Sequence, residues 1–160
     1  MLKRLAFIFL FCSLSVRAAT IPLLGEPVVI DGKLDEAVWG KALSVDAFQQ
    51  PEVTSTPPSR KTSAKIFATR DAVYIGIVCQ EPDMGSLARS NFPHDSAIWD
   101  SDTVEIFLDP SGHGQEYYQF ALSSGNTRWD NYFIEAGNNS LEYSSPWESA
   151  ISYDKDKWTA

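Results

Sequence analysis

The feature that most constrains this chain is period-two alternation. Apolar and polar side chains alternate in short runs from the first third of the sequence to its end, and turn residues close each run. A two-residue period places one set of side chains on each face of a strand, so it favours sheet over helix throughout. Candidate strands are PVVID (27–31), SVDAF (44–48), SAKIFATR (63–70), AVYIGIVCQ (72–80), DTVEIFLD (102–109), EYYQFALSS (116–124), TRWDNYFIE (127–135), SAISYD (149–154) and KWTA (157–160). Only LDEAVWGKA (34–42) has a helical pattern, and it is expected to form a short turn that carries Trp39 into the core.

The connections support antiparallel order. Asp71 opens a short turn between two strongly β-forming runs, and Ser124-Gly125-Asn126 separates two more. Residues 49–62 are polar and proline-rich and read as a loop. Residues 81–101 read as a second long loop, with one helical turn around MGSLARS. The expected fold is an all-β antiparallel sandwich, immunoglobulin-like or jelly-roll-like. KWTA opens an alternating run at the last residues, so the sandwich is expected to lack its C-terminal strands.

Residues 1–18 have the build of a secretory signal peptide: Lys3 and Arg4, an apolar run from Leu5 to Leu14, and a Val16-Arg17-Ala18 cleavage pattern. A lipoprotein anchor at Cys12 fits less well, since Phe9 and Phe11 are bulky where such processing needs small residues. The expected mature chain, 19–160, is one domain that is secreted, extracellular or periplasmic. Losing Lys3, Arg4 and Arg17 leaves ten basic residues against 21 acidic ones, a net charge of −11. Such a surface repels nucleic acid and anionic membrane, so neither is an expected partner, and membrane insertion of the domain is not expected. Cys79, alone after processing, reads as a buried, inert thiol.

The stretch WDSDTVEIFLDPSG (99–112) concentrates the chemistry. Val104, Ile106 and Leu108 share one face, expected to be core, while Thr103, Glu105 and Phe107 share the other. Asp109 is expected to cap the turn that follows. A sugar presents a flat face of C–H groups and a rim of hydroxyls, so a protein that binds it needs an aromatic platform beside fixed acceptors and donors. Trp99 with Asp102 and Glu105 meets that description. The residues alone leave a second reading open, in which Trp99 is a packing aromatic and the acids are solvated.

VIDGKLDEAVWGKA, AKIFATRDAVYIGIVCQEPD, WDSDTVEIFLDPSG and YDKDKWTA resemble, in order and spacing, the family 9 carbohydrate-binding modules and the secreted domains similar to them, from about Val28 to the end. The resemblance implies a non-catalytic β-sandwich that binds a poly- or oligosaccharide and is attached to a polysaccharide-degrading enzyme or to a larger surface protein, a barrel included. The family's sugar binders clamp a terminal sugar between two tryptophans; Trp99 matches the first and Glu105 the glutamate within the strand. The second lies beyond the residues that match here. The sugar binders also tend to carry an arginine after Gln-Phe, where this chain has Ala121, so that contact is missing or comes from elsewhere, with Arg128 a candidate. Asn126, Arg128, Trp129 and Asp130 form a second polar and aromatic cluster that could supply it. The resemblance further implies that a structural calcium can be held, with hard oxygen ligands of the kind DPSGHGQE offers; sugar recognition itself requires no cofactor.

Asp102 and Glu105 could meet a glycosidase's carboxylate spacing by accident, but no nucleophile and base accompany them. His94 and His113 lack the ligand spacing of a zinc site. Met84 and His94 share one loop and admit haem ligation, a hypothesis that a Soret band would decide. Against sugar binding stands a second function, a structural or adhesion module that keeps the scaffold without the site, and Ala121 favours it.

Overall fold

The computed structural model describes residues 19–48, 60–89, 91–134, 138–140 (backbone only) and 143–160. The expected leader, residues 1–18, lies outside them, as does most of the loop expected over 49–62.

Two antiparallel sheets form the domain. One has the order β1-β2-β3-β9-β8, built from Leu43–Val45, Thr62–Ala68, Val73–Gln80, Lys157–Thr159 and Ser152–Tyr153. The other has the order β4-β5-β6-β7, from Thr103–Leu108, Tyr117–Ser123, Arg128–Ile134 and Asn138–Ser140. This is the expected β-sandwich. The β-rich runs become strands because their alternation lets one face pack while the other stays partly solvated.

Two local expectations are corrected, for PVVID and for the loop around Met84. PVVID is not a strand: the Val29 N–H is satisfied by the Glu36 carboxylate at 3.0 Å, which replaces the neighbouring strand it would otherwise need. The helical piece is the expected short turn, a 3-10 turn over Ala37–Gly40 with Trp39 buried. Glu36 precedes that turn. It bridges Val29 N–H and the Trp39 indole N–H, the latter at 3.0 Å, and so fixes Trp39 against Phe67. No helical turn forms around Met84 among the described residues; Asp83–Ser86 is a hydrogen-bonded turn instead.

Val38, Trp39 and Phe67 make the tightest apolar cluster, joined by Leu24, Val28, Leu34, Ala42 and Tyr74. Phe67 meets Trp39 edge-to-face at 5.0 Å and stacks on Tyr74 at 4.8 Å. Gly76 lies close beneath this cluster, where an added Cβ would come within 2.4 Å of the Leu34 side chain and force it to shift.

Between the sheets lies an open apolar cleft of about 630 Å³, walled by Ile75 and Ile77 on one side and by Val104, Ile106, Leu108, Phe120 and Leu122 on the other. The β4 residues read as core do face the opposite sheet. The space before them is incompletely filled, however, so Val104 and Ile106 are half-buried and Leu108 is 36% exposed. Ala160 pairs with Ile77 through both backbone hydrogen bonds, at 2.8 and 2.9 Å. Cys79 is half-buried rather than buried, and burial still pushes its thiol up to about 11. It therefore stays protonated at neutral pH, as an inert thiol does. No described helix is long and apolar enough to cross a membrane.

Candidate functional site

The register of the second sheet builds a surface on the face turned away from the first. Glu105 on β4 pairs with Ala121 on β5, which pairs with Trp129 on β6. The next row is Phe107, Gln119 and Asn131. Side chains at paired positions of an antiparallel sheet share a face, so these six stand together.

The loop from 81 to 102 delivers Trp99 to this face. Asp102 anchors the loop: its carboxylate accepts from Ala88 N–H at 2.8 Å, its own N–H donates to Ala88 C=O, and its C=O accepts from Ser124 N–H. The Ser124 hydroxyl also donates to Ala88 C=O, and the Thr103 hydroxyl donates to Ile98 C=O. Ile98 is fully buried as a result, and Trp99, next in the chain, is left 53% exposed. Its ring meets Trp129 edge-to-face, with centroids 5.1 Å apart and planes at 71°.

Glu105 is exposed, and one of its oxygens accepts from the Gln119 amide at 2.5 Å. That bond fixes an acceptor for a donor arriving from solvent, with the second carboxylate oxygen beside it. Ala121 lies fully buried between Glu105 and Trp129.

The structure thus sets Trp99 against Trp129, in the row of the sheet that also carries Glu105. Asp102 lies at the loop's base with its carboxylate committed to Ala88, and alternation along the strand separates it from the face that carries Glu105. Arg128, next to Trp129 on β6, is turned to the opposite face. Its guanidinium donates to the Trp147 carbonyl and lies 5.8 Å from the centre of the Trp147 ring. It therefore does not occupy the place of the arginine missing at Ala121. Asn126 sits at the β5–β6 turn with φ 69°, its side chain accepting from the Ser149 hydroxyl at 2.9 Å.

Sequence reasoning missed Gln119 as the partner of Glu105, although its place opposite Phe107 in a hairpin register was the available signal. It also treated His94 as isolated. In space His94 Nε2 lies 2.6 Å from Asp130 Oδ1, and Nδ1 lies 3.1 Å from Asp95 Oδ2. The Asp130 carboxylate is fully buried and also accepts from the Trp147 indole N–H and from Ser145 N–H, each at 2.8 Å. His94, Asp95 and Asp130 are the described residues close enough to share a metal ion. Every oxygen of Asp130 already has a protein donor, so the cluster reads as a clasp between the loop and β6.

In the DPSGHGQE turn the Asp109 carboxylate is engaged by the turn's own donors. Asp109 Oδ1 accepts from Ser111 N–H, the Ser111 hydroxyl and Gly112 N–H, and Oδ2 accepts from Gly114 N–H at 2.6 Å. The carboxylate serves the loop's own donors, which hold its pKa down to about 2, with the Ser111 hydroxyl the largest cause.

The fold and this face define an all-β binding domain whose chemistry combines aromatic platforms with fixed polar groups. Over residues 30–158 the chain matches the family described as carbohydrate family 9 binding domain-like, and it belongs to that family. A search of curated proteins and of solved structures returns no match.

Proposed function

We propose that this domain binds a saccharide on the outer face of the β4–β7 sheet, with Trp99 as the stacking platform and Glu105 as the principal acceptor. Family membership supports carbohydrate binding by a non-catalytic domain. The observation that supports the more specific reading is the exposed Trp99 ring, held against Trp129, whose row on the sheet also carries Glu105. An open indole in an otherwise anchored loop offers a flat apolar face that a sugar ring can cover. Trp129 serves as the wall that orients Trp99. Asn126 and Arg128, in this reading, support the site from the turn and from the opposite face and do not touch the sugar. Asp102 acts through the loop it anchors.

The protein is proposed to act outside the cytoplasm, delivered by its leader, with any hydrolytic activity residing in an attached domain. Structural calcium plays no part in the proposed contact. A second reading, a structural or adhesion module without a sugar site, is favoured by Ala121, which leaves the floor of the site without the family's arginine.

Affinity electrophoresis through gels containing soluble neutral polysaccharides separates the two. Retardation by at least one polysaccharide, abolished in Trp99→Ala while circular dichroism is unchanged, supports sugar binding. Identical mobility of the folded protein in every gel contradicts it and leaves the structural reading.

A further inference from the structure

A second aromatic group stands on the same face as Trp99 and Trp129, further along the strands. Tyr117 stacks on Phe133 with centroids 4.8 Å apart and planes at 16°, and Phe107 tilts against Tyr117 at 5.7 Å. Trp129 and Phe133 are four residues apart on β6, a separation of about 14 Å at the rise of an antiparallel strand. Between the two groups the floor is polar: Gln119 and Asn131 are register partners, and Gln119 holds Glu105.

Cross-strand packing accounts for Tyr117 against Phe133. Phe107 packs diagonally across the strands on Tyr117 and still leaves its ring 58% exposed on the edge strand β4. The face therefore reads aromatic, polar, aromatic in the direction of the strands. A single sugar ring covers only one of those groups.

Building on the proposed function, we infer that this face takes a neutral glycan chain of several units, with one ring on Trp99 and a later ring over Phe107 and Tyr117. The charge decides the ligand's chemistry. The chain carries −8, and the Glu105 carboxylate stands in the row of Trp129, beside the row of Phe107, so uronate or sulfated glycans are repelled and hydroxyl donors are accepted.

The test uses the whole protein and ladders of one to six units of β-1,4-linked glucose, xylose and mannose, titrated calorimetrically with wild type, Phe107→Ala and Trp99→Ala. Phe107 is exposed, so its replacement leaves the fold intact, and far-UV circular dichroism checks this. Affinity is expected to rise about tenfold between the dimer and the pentamer of the preferred ladder. Phe107→Ala is expected to remove that rise without changing affinity for the dimer, whereas Trp99→Ala lowers affinity at every length. Affinity independent of length, or an equal loss at all lengths in Phe107→Ala, overturns the extended site while leaving the Trp99 platform standing. Absence of binding to all three ladders removes the platform and the extended site together.

Discussion

Trp99 leans its indole edge-to-face on Trp129 at 5.1 Å, joining a loop anchored at Asp102 to the middle of the β4–β7 sheet. The contact fixes the open ring's orientation without burying it. Glu105 stands in the same row as Trp129, across the small, buried Ala121. A flat ring and a held carboxylate at that spacing make one surface, and the predictions that follow depend on its parts.

Glu105→Gln keeps the side chain's shape and removes its charge. The bond from Gln119 then loses its ionic component, a change of about 0.5–1.5 kcal/mol for such a partly exposed pair. Sugar affinity should fall about tenfold, while the melting temperature falls by only a few degrees. Calorimetric titration beside thermal unfolding checks both halves.

Asp130 should behave in the opposite way. Its buried carboxylate receives the Trp147 indole N–H and Ser145 N–H and meets His94 from the loop. Asp130→Ala strands these donors and should cost about 3–5 kcal/mol, whereas Asp130→Asn, which keeps an acceptor, should cost less. Urea unfolding of both variants measures the difference.

Acid should act on the β4–β5 turn. The folded pKa of Asp109 lies at about 2, below its ordinary 3.8, because the Ser111 hydroxyl and the N–H groups of Gly114, Gly112 and Ser111 favour the ionised form. A lowered folded value means stability that is present above the unfolded pKa and lost as pH falls through the folded one. The stability advantage of wild type over Asp109→Ala should therefore be constant above about pH 4 and shrink towards about pH 2, read from melting temperatures across that range.

The turn at Gly32 should tolerate no side chain. Its φ is +80°, and an added Cβ would lie 2.6 Å from the Ser152 nitrogen and 2.7 Å from the Ile151 carbonyl carbon. The Ser152 hydroxyl also donates to the Gly32 carbonyl at 2.7 Å. Gly32→Ala combines left-handed strain of about 1–2 kcal/mol with a backbone clash, and should lower the urea midpoint with the slope unchanged.

Strands β2 to β6 were legible because each carries enough alternating β-branched and aromatic residues to declare its period. Val28-Val29-Ile30 carries the same residues yet forms no strand, since a Glu36 side chain takes the place of a partner strand, and local composition does not reveal that substitution. β7, with Asn138-Asn139-Ser140, was not read at all, because its residues have low strand propensity and pairing with β6 decides its conformation. Trp99 and Glu105 were legible from family resemblance and alternation together. Grouping Arg128 with Trp129 ignored the period that places neighbours on opposite faces. The clasp between His94 and Asp130 joins residues remote in sequence, and no spacing rule predicts it.

The central claim is that a sugar ring covers Trp99, and tryptophan fluorescence tests it most directly. Of the five tryptophans, Trp39 and Trp158 are buried and Trp129 and Trp147 partly buried, so covering Trp99, the exposed one, should account for the largest change in the wild-type emission. Titration with the preferred neutral oligosaccharide should shift wild-type emission to shorter wavelength saturably, and Trp99→Ala, equally stable, should show neither the shift nor binding. Undiminished binding by Trp99→Ala would contradict the account.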